Sequence, residues 1–312
     1  MLAWLNRQAP RALPFGLVVG VVWQDLAALL RPGVTPLIFL LTLASFLRIE
    51  WREIVAAMAR PLPVIATAVA ILCVCPLVIA ALSGLLPSWL AIPLVLQAAA
   101  PPIGSAPVMA VMIGLDGAFA LVTTVLATAL VPMTLPPLIE MLGGVRVAFD
   151  ALAMGVRLAA VIGGAALLAW GIKRLMGARV QRHAAEVGGL TVVVMLLFAV
   201  AIMDGVVAMA LANPWQVAGL ALGGVMAAVA WGTLAALLCW RWCGGRRALT
   251  LALLTGNRNL GLVLAGLGAA APADYLVYVA VAQLPIYLVP LAMQPLARRW
   301  GSVVASKPNS VD

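Results

Sequence analysis

The sequence predicts an all-α polytopic membrane protein of about ten transmembrane helices, arranged as two inverted five-helix repeats in which helices 4 and 9 are broken. Three observations predict it. Of 312 residues, 65% are hydrophobic and only 9% are charged, against about 45–50% and about 25% in a soluble domain. Residues 61–115 and 205–240 contain no Asp, Glu, Lys or Arg, and a lipid-spanning helix needs about 20 apolar residues. Two Pro/Gly-rich interruptions lie 152 residues apart, close to half the chain.

Dividing the apolar runs at charges and at Pro/Gly clusters gives ten spans, near 13–30, 34–47, 64–85, 89–113, 118–139, 151–172, 187–211, 215–238, 248–270 and 275–297. Adjacent loops of such a bundle lie on opposite sides of the membrane. Of the 19 Lys and Arg residues, fifteen fall on one side: Arg7, Arg11, Arg48, Arg52, Arg60, Lys173, Arg174, Arg179, Arg182, Arg241, Arg246, Arg247, Arg298, Arg299 and Lys307. Arg31 and Arg146 fall on the other. An extra or missing span would scramble this sorting. By the positive-inside rule, it places both termini in the cytoplasm, and the expected location is the inner (cytoplasmic) membrane.

The net charge of +9 therefore marks cytoplasmic loops rather than a nucleic-acid surface. The four cysteines and the single histidine, His183, form no metal-ligand spacing. No catalytic motif, paired deep carboxylates or phosphate-binding loop is visible, so neither an enzyme nor an ATP-driven pump is expected, and no cofactor is implied.

The fourth span contains Ala100-Pro101-Pro102-Ile103-Gly104-Ser105-Ala106-Pro107, whose prolines remove helix donors and clash with the preceding turn. The ninth contains Thr255-Gly256-Asn257-Arg258-Asn259-Leu260-Gly261. Each break occupies the fourth position of a five-span half, and five is odd, so the second half enters the membrane inverted. Residues 1–145 form the first repeat, 146–300 the second and 301–312 a polar cytoplasmic tail. Discontinuous helices at matching positions of inverted repeats are a secondary-transporter signature, with the substrate site where the breaks meet. Arg258 lies near mid-membrane, where an ionisable residue signals function by default.

These residues resemble the bile acid:sodium symporter superfamily, ten-helix transporters whose broken fourth and ninth helices cross. The likeness is carried by the first break followed by Val108-Met109, by Asp116, Ala118, Thr124, Pro132 and Pro136, and by Gly256, Asn259, Gly261 and Leu262. It implies a divergent, bacterial-type member with degenerate sodium sites. Where sodium-coupled members carry a Ser-Asn pair, this chain has Ala106-Pro107; where they carry glutamate and glutamine around the ninth-helix glycine, it has Leu254 and Arg258. The family's third-helix glutamine falls near Ile71, which leaves Thr124 as the main matching sodium ligand. Sodium coupling is therefore not expected.

The resemblance implies alternating-access transport of an organic anion, either an amphipathic steroid acid or a small carboxylate, and a pocket closed by the methyl groups of Ala106 and Leu254 favours the small carboxylate. Arg258 then stands in for bound sodium as a fixed cation, holding the broken helices together or pairing with the substrate. Ser105, Thr124, Asn257, Asn259 and Gln283 complete the expected binding residues, with Tyr287 a weaker candidate beside Gln283. Pro101, Pro102, Gly104, Pro107, Gly256 and Gly261 form the helix breaks. Asp204 is the carboxylate best placed by residue counting to pair with Arg258 or to carry a coupling proton. The alternatives to anion transport are a channel-like or sensor protein on the same fold and a proton-coupled transporter using Asp204.

Overall fold

The computed structural model describes residues 2, 4, 9–49, 55, 61–141 and 150–301. Arg7, Arg52, Arg60, Arg146, Lys307, the tail from residue 302 and the repeat boundary at 145 lie outside the described residues, as does the side chain of Tyr287. The described chain is helical with no β-strand, in this order: α1 Ala9–Val22, α2 Gln24–Leu30, α3 Val34–Leu47, α4 Pro61–Val69, a π-helical segment Ala70–Val74, α5 Cys75–Leu82, α6 Ser88–Ala99, α7 Ala106–Met112, α8 Gly117–Met141, α9 Ala151–Arg182, α10 Ala184–Ala201, α11 Val206–Ala212, α12 Pro214–Gly256, α13 Leu260–Leu267, α14 Ala273–Val281 and α15 Gln283–Gly301.

Among the described residues, six helical stretches are long and apolar enough to cross a membrane: Gln24–Leu47, Pro61–Leu85, Gly117–Met141, Ala151–Arg182, Ala184–Ala212 and Pro214–Gly256. The broken segments fall short because their apolar length is divided, as at Ser88–Ala99 and Leu260–Ala270. Large apolar side chains face outward on these helices: Leu175, Leu211, Trp215 and Trp242 are each more than four-fifths exposed. Such a surface suits lipid and not water. The chain is thus an all-α, multi-pass membrane protein.

One boundary differs from the sequence expectation. The first reversal was expected at Arg31-Pro32-Gly33, but the backbone stays right-handed helical from Gln24 into α3, with one 3₁₀ turn at Arg31–Gly33. The chain instead turns at Trp23, whose φ of −114° and ψ of 75° are not helical. Pro32 sits in the first turn of the 3₁₀ segment, where a missing N–H costs nothing. Arg31 therefore belongs to a helix and not to a loop.

The helices form two groups. In one, α1 packs on α10, α10 on α3, and α3 on α9. Gly16 and Gly20 of α1 bring it against Leu196, Ala199 and Met203, with room for no Cβ at Gly20, where Met203 would lie 2.7 Å away. Small residues four apart are the usual means by which membrane helices approach closely without a hydrophobic driving force. The other group joins α4 to α8 and α5 to α6, α7 to α8, and α12 to α14 and α15. α12 bends back at Gly244, whose φ of 75° and ψ of 162° only glycine adopts readily. The groups meet where α9 lies against α8 and α13, and where α3 lies against α13.

Local chemistry fixes the ends that frame the breaks. Asp116 caps α8 by accepting from Phe119 N–H at 3.0 Å, and Asp150 caps α9 by accepting from Ala153 N–H at 2.9 Å. Asp116 also sits 3.5 Å from Arg247, while Arg246 donates to Leu115 O at 3.1 Å, so the start of the ninth expected span is tied to the loop that follows α7. At the opposite end, Arg157 donates to Leu267 O, the last carbonyl of α13, at 3.1 Å. A cation there complements the negative end of the helix dipole.

Candidate functional site

The two breaks meet. After Ala99 the chain becomes extended, with Ala100 at ψ 146°, because Pro101 and Pro102 supply no helix donor and push the preceding residue out of the α region. After Gly256 the chain also becomes extended at Asn257, φ −104° and ψ 101°. The two segments lie antiparallel: Ile103 N–H donates to Asn257 O at 3.0 Å and Asn259 N–H donates to Pro101 O at 2.8 Å, around a Pro102–Arg258 bridge. Backbone groups released from their own helices at membrane depth need partners there. Each break supplies the other's.

Arg258 is 1% exposed. Its Nε donates to Thr255 O at 2.7 Å, and its Nη1 donates to Ala100 O at 2.9 Å and to Ile71 O at 3.3 Å. Among the described residues, Nη2 finds no hydrogen-bond partner and no carboxylate forms an ion pair with the guanidinium. Asp204, the partner weighed from the sequence, instead lies 2.5 Å from Arg31 in a partly exposed pair and does not line the cavity described next. The shift of the reversal to Trp23 puts Arg31 on a helix beside α10, within reach of that carboxylate.

A cavity of about 130 Å³ lies against the crossing. Gly104, Ser105, Asn259 and Gly261 line it from the breaks, Thr124 and Thr128 from α8, and Gln283 from α15. α3 contributes Thr42, Ser45 and Arg48, and α10 contributes Thr191 and Phe198. The cavity thus sits between the two helix groups and reaches the end of α3, where Arg48 is exposed. Among the described residues its charged lining is Arg48 and Arg258, with no Asp or Glu.

Of the six expected binding residues, Ser105, Thr124, Arg258, Asn259 and Gln283 come together on this cavity. Asn257 does not: it is fully buried behind the bridge, donates to Leu253 O at 3.3 Å, and has an unpartnered Oδ1. Asn259 accepts from Leu262 N–H at 3.1 Å and so caps α13. Gln283 donates to Val279 O at 3.0 Å. The break residues serve close approach: a Cβ at Gly104 would lie 2.4 Å from Ser45 Oγ, and one at Gly256 2.8 Å from Ala228 O. Gly261 faces the Phe198 ring, Pro107 occupies the first turn of α7, and Pro101 and Pro102 hold the first break extended.

Thr124 stands out among the buried threonines. Buried Thr42, Thr67, Thr250 and Thr255, and half-buried Thr134 and Thr191, each donate to the carbonyl four residues earlier, as helical threonines in apolar surroundings do. Thr124 Oγ1, on the cavity wall and 5% exposed, has no partner, nor does its buried neighbour Thr123.

Sequence reasoning missed the wall formed by α3. Ile38, Thr42, Ser45 and Ile49 recur at helical spacing, and small polar residues along one face of an apolar helix were the available signal. Compared with known protein families and with curated proteins, the chain matches none, so the likeness to the bile acid:sodium symporter superfamily rests on the residues quoted for it.

Proposed function

We propose that the protein is a secondary transporter that moves a small organic anion, of carboxylate type, by alternating access between the two helix groups. In this reading the chain has the ten-span, inverted-repeat architecture expected from its sequence, sits in the cytoplasmic membrane with both termini inside, and opens its cavity to the cytoplasm at Arg48. The observation that carries it is a fully buried guanidinium with no carboxylate partner among the described residues, on a cavity lined by two arginines and no acid. A charge at membrane depth is costly, about 2.5–3.5 kcal/mol even on insertion scales. An anion entering beside Arg258 offsets that cost, whereas a cation would add to it.

Within the cavity, the unpartnered hydroxyl of Thr124, the Ser105 hydroxyl and the Asn259 amide supply neutral hydrogen bonds. Arg258 supplies its positive field; three of its N–H groups are committed to carbonyls, and the two of Nη2 are left over for the anion. A volume of about 130 Å³ favours a small carboxylate over a steroid acid, because pockets for drug-sized ligands measure about 300–1,000 Å³. Sodium coupling has no support in the side chains here: Ala106 and Leu254 are apolar, and Arg258 is cationic. The channel, sensor and Asp204 proton-coupled readings gain no specific observation.

Uptake and counterflow in proteoliposomes, across a panel of small carboxylates with and without a sodium gradient, test the proposal. Sodium-independent accumulation of at least one carboxylate is expected, lost in Arg258→Ala. Uptake that requires sodium, or a panel with no substrate and no carboxylate-dependent thermal stabilisation, would overturn it.

A further inference from the structure

The acceptors around Arg258 come from three separate segments, and one of them exists only because a helix is deformed. In the π-helical segment Ala70–Val74, Cys75 N–H donates to Ala70 O, five residues back. An α-helical register would give that N–H to Ile71 O instead. The next residue able to serve Ile71 O in the widened register is Pro76, which has no N–H. Ile71 O is therefore left without a backbone donor by the sequence itself, at a residue that is fully buried, and Nη1 of Arg258 takes it.

The other two acceptors arise in the same way. Ala100 O belongs to the turn ended by Pro101 and Pro102, and Thr255 O to the last helical turn before the second break. Thr255 O receives Nε, while Ala100 O and Ile71 O bracket Nη1. Three carbonyls set against two different nitrogens of one fork, Nε on one side and Nη1 on the other, match a planar guanidinium and do not match an ammonium, whose donors radiate from a single point.

We propose that these carbonyls form a cage for a planar, guanidinium-type cation, built on the third expected span by Pro76 through the freed carbonyl of Ile71. In the native chain the cage holds its own Arg258. When that side chain is shortened, the cage takes a free guanidinium ion. Pro76 is thus a positioning residue for Arg258, and the crossing is held shut without an external ion. The inference is independent of what is transported, because it concerns an interior site whose occupancy is read by binding.

The test uses the full-length protein in detergent and follows thermal unfolding by tryptophan fluorescence. Arg258→Ala should melt several degrees below the native chain. Guanidinium or methylguanidinium at about 10 mM, far below the molar range in which it denatures, should restore most of that loss saturably. Sodium, potassium or choline at equal ionic strength should not, and the native chain should not respond. In Arg258→Ala/Pro76→Ala, where Ile71 O can return to its own helix, the rescue should weaken at least tenfold in apparent affinity. Equal rescue by choline, or rescue unchanged in the double variant, would overturn the cage. Should Arg258→Ala yield no folded protein in any of these salts, Pro76→Ala alone decides. Arginine-specific phenylglyoxal labelling at Arg258 should rise in it several-fold over the native chain, and unchanged protection would overturn the proposal.

Discussion

Gly104 of the first break lies so close to Ser45 of α3 that a Cβ built on it would stand 2.4 Å from the Ser45 hydroxyl. The two residues belong to the two helix groups, and both line the cavity. This contact sets how near the groups come beside the crossing. Ser45 Oγ is itself held by Leu41 O at 2.9 Å, so it cannot move aside without losing that bond.

Gly104→Ala should therefore destabilise the protein by about 1–3 kcal/mol, the usual cost of overpacking a well-filled interior. Removing the opposing hydroxyl in Ser45→Ala should recover at least half of this in the double variant. Chemical or thermal unfolding of the four proteins of the cycle measures the coupling. Additive effects would mean that the two groups are not held apart at this point.

Thr124→Val removes a hydroxyl that has no partner and nearly preserves the side-chain volume. A buried unsatisfied polar group costs about 1–3 kcal/mol, so the variant should be as stable as the native protein or more so. Carboxylate binding should nevertheless weaken about tenfold, which corresponds to about 1.4 kcal/mol. Thr191→Val is the control, since that hydroxyl is satisfied by Val187 O at 2.8 Å. Isothermal titration with the best substrate of the panel separates the two. A Thr124→Val protein that loses stability and keeps its affinity would assign the hydroxyl a structural role.

Much of this site was legible in the sequence, and the rest was not, for physical reasons. The breaks showed themselves because Pro101, Pro102 and Pro107 cannot donate within a helix, and Arg258 because a charge in an apolar run is expensive. That the breaks pair backbone to backbone could not be read, since carbonyls and N–H groups leave no mark on residue identity. Ile71 is the clearest case: its side chain suggests nothing, and only Pro76 five residues on hints at a freed carbonyl. Pro32 and Gly33 misled in the opposite sense, resembling a turn while continuing a helix.

Asp204→Asn breaks the ion pair with Arg31, whose side chains are 50% and 20% exposed for Arg31 and Asp204 respectively. Exposed pairs contribute about 0–1 kcal/mol, so stability should change little. Transport should keep both its rate and its pH profile, because the carboxylate is engaged away from the cavity. Uptake measured between pH 5.5 and 8.5, about one and a half decades of proton concentration either side of neutrality, checks this. A profile flattened in Asp204→Asn would return Asp204 to the coupling role.

Arg157 of α9 ties that helix to the end of α13 by donating to Leu267 O. Gly268, at φ 56°, follows that carbonyl and packs under the guanidinium, so the turn and the cation hold each other in place. A charged hydrogen bond of this kind contributes about 1.5–3 kcal/mol. Arg157→Leu should let the end of α13 open locally, and amide exchange of peptides covering 260–270 should accelerate about tenfold or more, since each tenfold corresponds to about 1.4 kcal/mol of local stability. Peptides of α1 and α10, which pack within one group, should exchange as in the native protein. Uniform acceleration across the chain would instead show that Arg157 supports the whole fold and not the contact between its two groups.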